Sequence, residues 1–454
     1  MAEPEAPWID RVVSHLGARR LVAGRPGLGW MLVEFFPVAV WSRITGAINL
    51  ENSFYLVGYL SLLGAERDDR ATLMALFGLA VIGQALVVLV GRRHGGLADA
   101  KRRCVRTAWI ARGAWLMAVF WPLVADWLGL PPRWGLYGLF AGACIGQFVF
   151  FISVSAWTTW TQRLVPEDQR GPFFAWRNIS GFLATILATQ AISLAWPAEG
   201  ADGQPSGTIG MYALLFGGLT GAVLLTTLWL AKAPDAPDAQ AERAPLPPLR
   251  EAFRGAGVFW RYVAWNVLNS AALATTVLYV PDLIRAVGID TAGYAFYDWA
   301  LRHPAAMLGM FFAGAYLLRC GAAGMLVLMN LLIGLGLVGY LVAAETAWLW
   351  LVPVAMAIEG FGRAINGIAF MSRLYEVMPV GDQRFPAVFL GIGAVSVTAT
   401  ALAVPALLDG LEARWPATDP AWGLVAIGAV LRLLSIPLVW DRRRREAPGS
   451  LMRD

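Results

Sequence analysis

Apolar runs of about 20 residues, parted by short polar stretches, leave this chain few folds to choose from. A helix of that length crosses the hydrocarbon core of a bilayer, and lipid tolerates no unpaired backbone, so such runs become spanning helices. They fall near residues 41–63, 71–91, 105–125, 135–161, 173–195 and 209–230, then 258–284, 294–318, 322–343, 347–374, 386–408 and 421–440. The expected fold class is an all-α membrane protein of twelve transmembrane helices. Composition agrees: 15% of residues are charged and the mean hydropathy is +0.57, where a soluble domain carries about a quarter charged residues. No stretch between the runs is long enough for a soluble catalytic domain.

The chain repeats a phrase. Asp168-Gln169-Arg170-Gly171-Pro172 and Asp382-Gln383-Arg384-Phe385-Pro386 lie 214 residues apart, each after the fourth span of its half. A membrane chain that repeats at half its length reads as two copies of one bundle, a common way to build a pathway between the halves. The expected division is an N-terminal cytoplasmic or interfacial segment (1–40), a six-helix bundle (41–231), a proline-broken cytoplasmic linker (232–257), a second six-helix bundle (258–440) and a basic cytoplasmic tail (441–454). Trp30 to Val40 is apolar but interrupted by Glu34 and Pro37, and reads either as an interfacial approach or as the bent start of the first span. Trp8, Ile9, Val12, Val13 and Leu16 recur at helical spacing with Arg11, His15 and Arg19 opposite, the pattern of a short helix lying on the membrane surface. No cleavable signal peptide is expected.

Charge placement orients the bundle. With both termini cytoplasmic, 26 basic residues fall on the inner side and five (Arg67, Arg70, Arg133, Arg285, Arg414) on the outer. Basic loops resist crossing, so this asymmetry supports twelve spans in a cell (inner) membrane. The arginines are scattered through short loops and form no single face, which argues against nucleic acid as a partner. Cys104, Cys144 and Cys320 share no metal-site spacing. Neither metal nor cofactor is expected. No phosphate-cradling loop and no nucleophile–base arrangement is readable, so the chain reads neither as an ATP-driven pump nor as an enzyme.

Gly95-Gly96-Leu97-Ala98-Asp99-Ala100-Lys101-Arg102-Arg103 resembles the loop signature between the second and third spans of the major facilitator superfamily. Gly95, Leu97, Ala98, Asp99 and Arg103 match; Ala100, Arg102 and Cys104 depart from it. Leu164 to Phe174, with Arg177-Asn178, resembles the loop after the fourth span in a bacterial branch of that superfamily. The resemblance implies two pseudo-symmetric six-helix halves and a gating role for Asp99 near the start of the eleventh span, around Phe385 to Val388. Arg103 would pair with Glu167 or Asp168. Gly95, Asp99, Arg103, Asp168, Arg170, Asp382 and Arg384 are thus the candidate gating loop residues. The resemblance also implies that spans one, four, seven and ten line a central cavity.

Ionisable groups inside a bilayer cost a few kcal/mol each and usually face the bundle interior. Glu51, flanked by Asn49 and Asn52, lies midway along the first span; Arg112 is in the third; Asp298 and Arg302 are one turn apart in the eighth, beside His303. Glu359, Arg363 and Asn366 form a stripe on the tenth. Glu51, Asn49, Asn52, Arg112, Gln147, Asn266, Asn269, Glu359, Arg363 and Asn366 are the substrate and coupling candidates, and Trp157 and Trp160 would add flat apolar walls. The expected function is a monomeric secondary transporter that moves a small organic solute and exchanges protons or another coupling ion, in contact with membrane lipids. Glu51 is the first candidate for coupling and Glu359 the second. The alternative is a non-transporting protein of the same architecture that handles lipid or pigment, or scaffolds an envelope assembly.

Overall fold

The structure, a computed structural model, describes residues 7–22, 26–45, 54–65, 67–90, 100–195, 208–235, 248–276, 279–280, 283–284, 287–289, 296–379, 382, 384–415 and 420–440. Its regular structure is helical. After a short α1 (Trp8–Val13) come α2 (Leu28–Thr45), α3 (Phe54–Leu62), α4 (Arg67–Val90), α5 (Ala100–Trp127), α6 (Pro132–Leu164), α7 (Glu167–Ala195) and α8 (Ile209–Lys232). The second half holds α9 (Gly257–Thr276), α10 (His303–Thr346), α11 (Leu351–Val377), α12 (Arg384–Arg414) and α13 (Pro420–Val439). Among the described residues, eight helical segments are long and apolar enough to span a membrane.

Local chemistry sets several of these limits. Between α5 and α6, Leu130 N donates to Ala125 O (2.9 Å) and Gly129 N to Asp126 O (2.9 Å). Gly129 adopts φ +67°, which closes the helix with a left-handed residue that only glycine enters without strain. Pro131 and Pro132 then start α6 where a missing N–H costs nothing. The long α10 is broken at Gly321 (φ 67°, ψ 162°), in the gap between the runs 294–318 and 322–343. Pro37 and Glu34 do not end α2, which runs through the boundary drawn at residue 40. Proline removes one backbone bond, a local loss that a tightly packed membrane helix absorbs, and Glu34 finds a buried cation. Trp30 to Val40 is therefore helix leading into the first span.

The N-terminal segment packs on the protein along one side and is exposed along the other, where Trp8 and Val12 lie. Ile9, Val13, Leu21 and Val22 are buried in the protein core, while Trp8 packs edge-on against Trp30 at 5.4 Å. Asp10, itself buried, accepts from Gly27 N (2.6 Å) and Gly29 N (2.9 Å), satisfying amides at the start of α2. Amphipathic spacing alone cannot tell a lipid surface from a protein surface.

Within the first half α5 packs on α6 and α8, and α2 on α7 and α8; within the second, α9 packs on α12 and α13, and α10 on α11 and α13. The halves meet chiefly where α4 crosses α12 and α7 crosses α10. Glycine permits the first crossing: a Cβ on Gly78 would lie 1.9 Å from Thr398 Oγ1, and one on Gly391 2.6 Å from Ala85 Cβ. Exposed tryptophans ring both ends of the bundle. Trp127, Trp134, Trp348, Trp350 and Trp415 crown one, and Trp8, Trp260 and Trp440 the arginine-rich other, as interfacial belts do.

Candidate functional site

Each half contains a buried arginine–carboxylate lock. In the first, Arg112 of α5 pairs through Nη2 with Glu34 Oε1 of α2. Its Nη1 donates to Val223 O (2.9 Å) and Thr227 Oγ1 (2.7 Å) of α8. Both side chains are almost wholly buried. In the second, Glu359 of α11 accepts from Arg302 Nη2 (2.7 Å), Tyr340 Oη (2.9 Å) and Arg363 Nε (2.7 Å). An extra turn of π-helix, Asp298–Arg302, precedes α10 and brings Arg302 to that carboxylate. Buried charges persist when paired and hydrogen-bonded, and here the partners come from three neighbouring helices of one half.

The substrate candidates therefore separate. Arg112 and Glu359 are committed inside their own halves. Asn266 also looks inward, with Nδ2 donating to Phe389 O of α12 at 2.9 Å. Asn269 Oδ1, Gln147 Oε1 and Asn366 Oδ1 are buried without a hydrogen-bond partner. Arg363 holds Glu359 and keeps about a fifth of its side chain accessible. Glu51, Asn49 and Asn52 lie outside the described residues, as do Gly95 and Asp99.

The repeated phrase is used differently in each half. Asp382 is buried, accepts the Arg384 backbone amide (3.0 Å) and grips the Arg384 side chain through Nε (2.9 Å) and Nη2 (2.6 Å). It thereby caps α12, the helix start to which the family resemblance assigned Asp99. Asp168 is instead exposed in the first turn of α7. Arg170 turns back to the last carbonyls of α6, reaching Gln162 O (2.9 Å) and Val165 O (3.3 Å). Arg103 is half-buried near the start of α5.

At the arginine-rich end the halves are shut against each other. Gln162 Nε2 at the end of α6 donates to Tyr375 O of α11 at 3.4 Å. Phe174 lies 5.9 Å from the Tyr375 ring and the Arg170 guanidinium 5.3 Å from it. Further in, Phe182 meets His303 at 5.9 Å. Above this closure sits a residue that the sequence reading grouped with the loops. The Arg177 guanidinium lies 3.6 Å from the Phe35 ring of α2 and 4.7 Å from the Trp157 ring of α6. Nothing in the local sequence marks it, because both rings come from other helices.

No family model matches the sequence, and no curated protein matches it. Solved structures do. A bacterial homologue of the iron transporter ferroportin, in an outward-facing state, aligns with 91% of this chain and 97% of its own at 14% identity and TM-score 0.61. The major facilitator proton:xylose symporter XylE aligns with 91% of this chain and 93% of its own at 13% identity and TM-score 0.64. The E. coli fucose:proton symporter FucP aligns with 92% and 98% at 13% identity and TM-score 0.56. Helices long enough to span, crossing in pairs between two halves and superposing on these proteins almost end to end, give this multi-pass membrane protein the fold of the major facilitator superfamily transporters.

Proposed function

We propose that the chain is a secondary active transporter that moves a small organic solute by alternating access, coupled to protons. The observation that carries the reading is the contrast between lock and seam. Each half is tied internally by a buried charged cluster, whereas among the described residues the halves meet at the arginine-rich end through a 3.4 Å hydrogen bond, a guanidinium beside a ring and tilted aromatic rings. Two rigid bodies with a separable contact are what rocking requires. On this reading the arginine-rich end is cytoplasmic, because basic segments resist crossing, and its closure is what an outward-facing state, the state named for the ferroportin homologue, would require.

Two of the structural neighbours are proton symporters by name. A coupling carboxylate must be able to gain and lose a proton as its surroundings alternate. Glu359 suits that poorly, because Arg302, Tyr340 and Arg363 occupy both of its oxygens. Coupling is therefore assigned to Glu51, and Asp382, Arg384, Asp168 and Arg170 to the cytoplasmic gate, with Gly95, Asp99 and Arg103 in the loop beside it.

The test is reconstitution in liposomes that enclose a pH-sensitive dye, with solutes supplied under a proton gradient. Solute-dependent proton entry is expected in the native protein and should be lost in Glu51→Gln while solute counterflow persists. Unchanged proton entry in Glu51→Gln would overturn the coupling assignment.

A further inference from the structure

Resting on the transporter reading, and deepening it, we infer that Arg177 is the residue that recognises an oxyanion, a carboxylate or phosphoryl group, on the solute. Arg177 stands on α7 between Phe35 of α2 and Trp157 of α6. Two rings beside the guanidinium hold it in place by cation–π attraction, and they spend none of its N–H donors. Among the described residues those donors make no hydrogen bond and no ion pair. Glu34, the carboxylate whose field reaches Arg177, is already bound to Arg112, Val223 and Thr227 being the other partners of that arginine.

Arg177 is half-buried, so its guanidinium is held by the protein while its N–H donors stay available to a ligand. Asn178, next along α7, reaches α11: a Cβ on Gly367 would lie 3.2 Å from Asn178 Nδ2. The position is thus at the seam between halves, just inside the closure made by Phe174 and Tyr375. Among the described residues two buried polar atoms of α11, the helix that carries Gly367, lack partners: Tyr375 Oη (the residue 4% exposed) and Asn366 Oδ1. The Tyr375 side chain feels the charge of both Arg170 and Arg177. A planar guanidinium fork beside two rings favours bidentate binding of a flat or tetrahedral oxyanion. Neighbouring hydroxyl and amide groups supply secondary contacts. Because the groups belong to both halves, bound oxyanion would join them across the seam, as a solute in an alternating-access site must.

The experiment uses the full-length purified protein in lipid nanodiscs, with inorganic phosphate, succinate and benzoate as probes and xylose as the neutral comparator. Thermal melting is followed over concentrations up to about 10 mM, a range that detects millimolar affinity. At least one anion should raise the melting temperature saturably, with xylose without effect. Arg177→Lys should weaken that anion about tenfold or more, since an ammonium cannot replace the fork, and Arg177→Gln should abolish the response. Should Arg177→Gln fail to fold, Trp157→Leu, which keeps the charge and removes one ring, should weaken binding several-fold. The inference is overturned if none of the three anions shifts the native protein, or if the Arg177 and Trp157 variants respond as the native protein does. Counterflow in liposomes separates the two readings. An anion bound through Arg177 but never translocated sinks the transport reading alone. A neutral solute translocated equally by native protein and Arg177→Gln sinks the oxyanion site alone.

Discussion

Arg112 and Glu34 meet from helices 78 residues apart in the chain, each with only about a twentieth of its side chain accessible. Removing one strands the other. Arg112→Leu or Glu34→Leu should each destabilise the first half by about 3–5 kcal/mol, seen as a lower temperature for loss of monodispersity in detergent. Arg112→Leu combined with Glu34→Leu should recover most of that loss, because two apolar side chains leave no unpaired charge. A double variant as unstable as the singles would refute the pairing. This is also where sequence reading reached its limit. Glu359 and Arg363, one turn apart on one helix, were legible as a stripe; Arg302 as a third member was not, since nothing local links α10 to α11. Glu34 registered only as an interruption in an apolar run, for the same reason. Arg177 was legible only as part of the stretch that resembles the loop after the fourth span, while the rings beside it come from α2 and α6.

At the scale of elements, the seam between α4 and α12 depends on glycine. Replacing Gly78 with valine would drive a side chain into Thr398 and toward Ala394 O, 3.1 Å from the first added carbon. The expected cost is about 1–3 kcal/mol of stability, with slower transport if the two helices slide past one another. Gly218→Ala is the comparator: nothing lies within 4 Å of a Cβ there, so stability should be unchanged or raised by up to about 1 kcal/mol, alanine being the better helix former. A Gly78→Val protein indistinguishable from native would mean that the crossing is looser than drawn. The elements themselves were well marked in the sequence, because apolar length sets the span and lipid enforces the helix. The split of α10 at Gly321 fell within the gap expected between two runs. What the runs did not reveal was that α2 begins at Leu28, since a proline and an acid look like a stop until their partners are known.

For the whole molecule, the closed end makes a mechanical prediction. Cysteines placed at Phe174 and Tyr375, whose rings are 5.9 Å apart across the seam, should be joined by a short bis-methanethiosulfonate linker, which spans the space the rings filled, once Cys104, Cys144 and Cys320 are replaced. The cross-linked protein should lose solute flux about tenfold or more and regain it with reductant, because the halves can no longer part there. Flux that survives a complete cross-link would show that the path does not open at this end. The duplication seen in the sequence foretold two bundles. It did not foretell that Asp382 and Asp168, equivalent in phrase, take unlike positions, one buried against Arg384 and the other in the open.

The grip of Asp10 on Gly27 and Gly29 has a consequence for how force runs through the first half. Trp30, the residue after that grip, touches Trp8 behind it and lies 4.9 Å from the Lys232 ammonium and 6.4 Å from Trp229 at the close of α8. The opening segment thus buckles the first helix of its bundle to the last, turning an open string of helices into a belt fastened at one point. A pull on the chain just past Lys232 then arrives at α2 directly, without being relayed through the helices between.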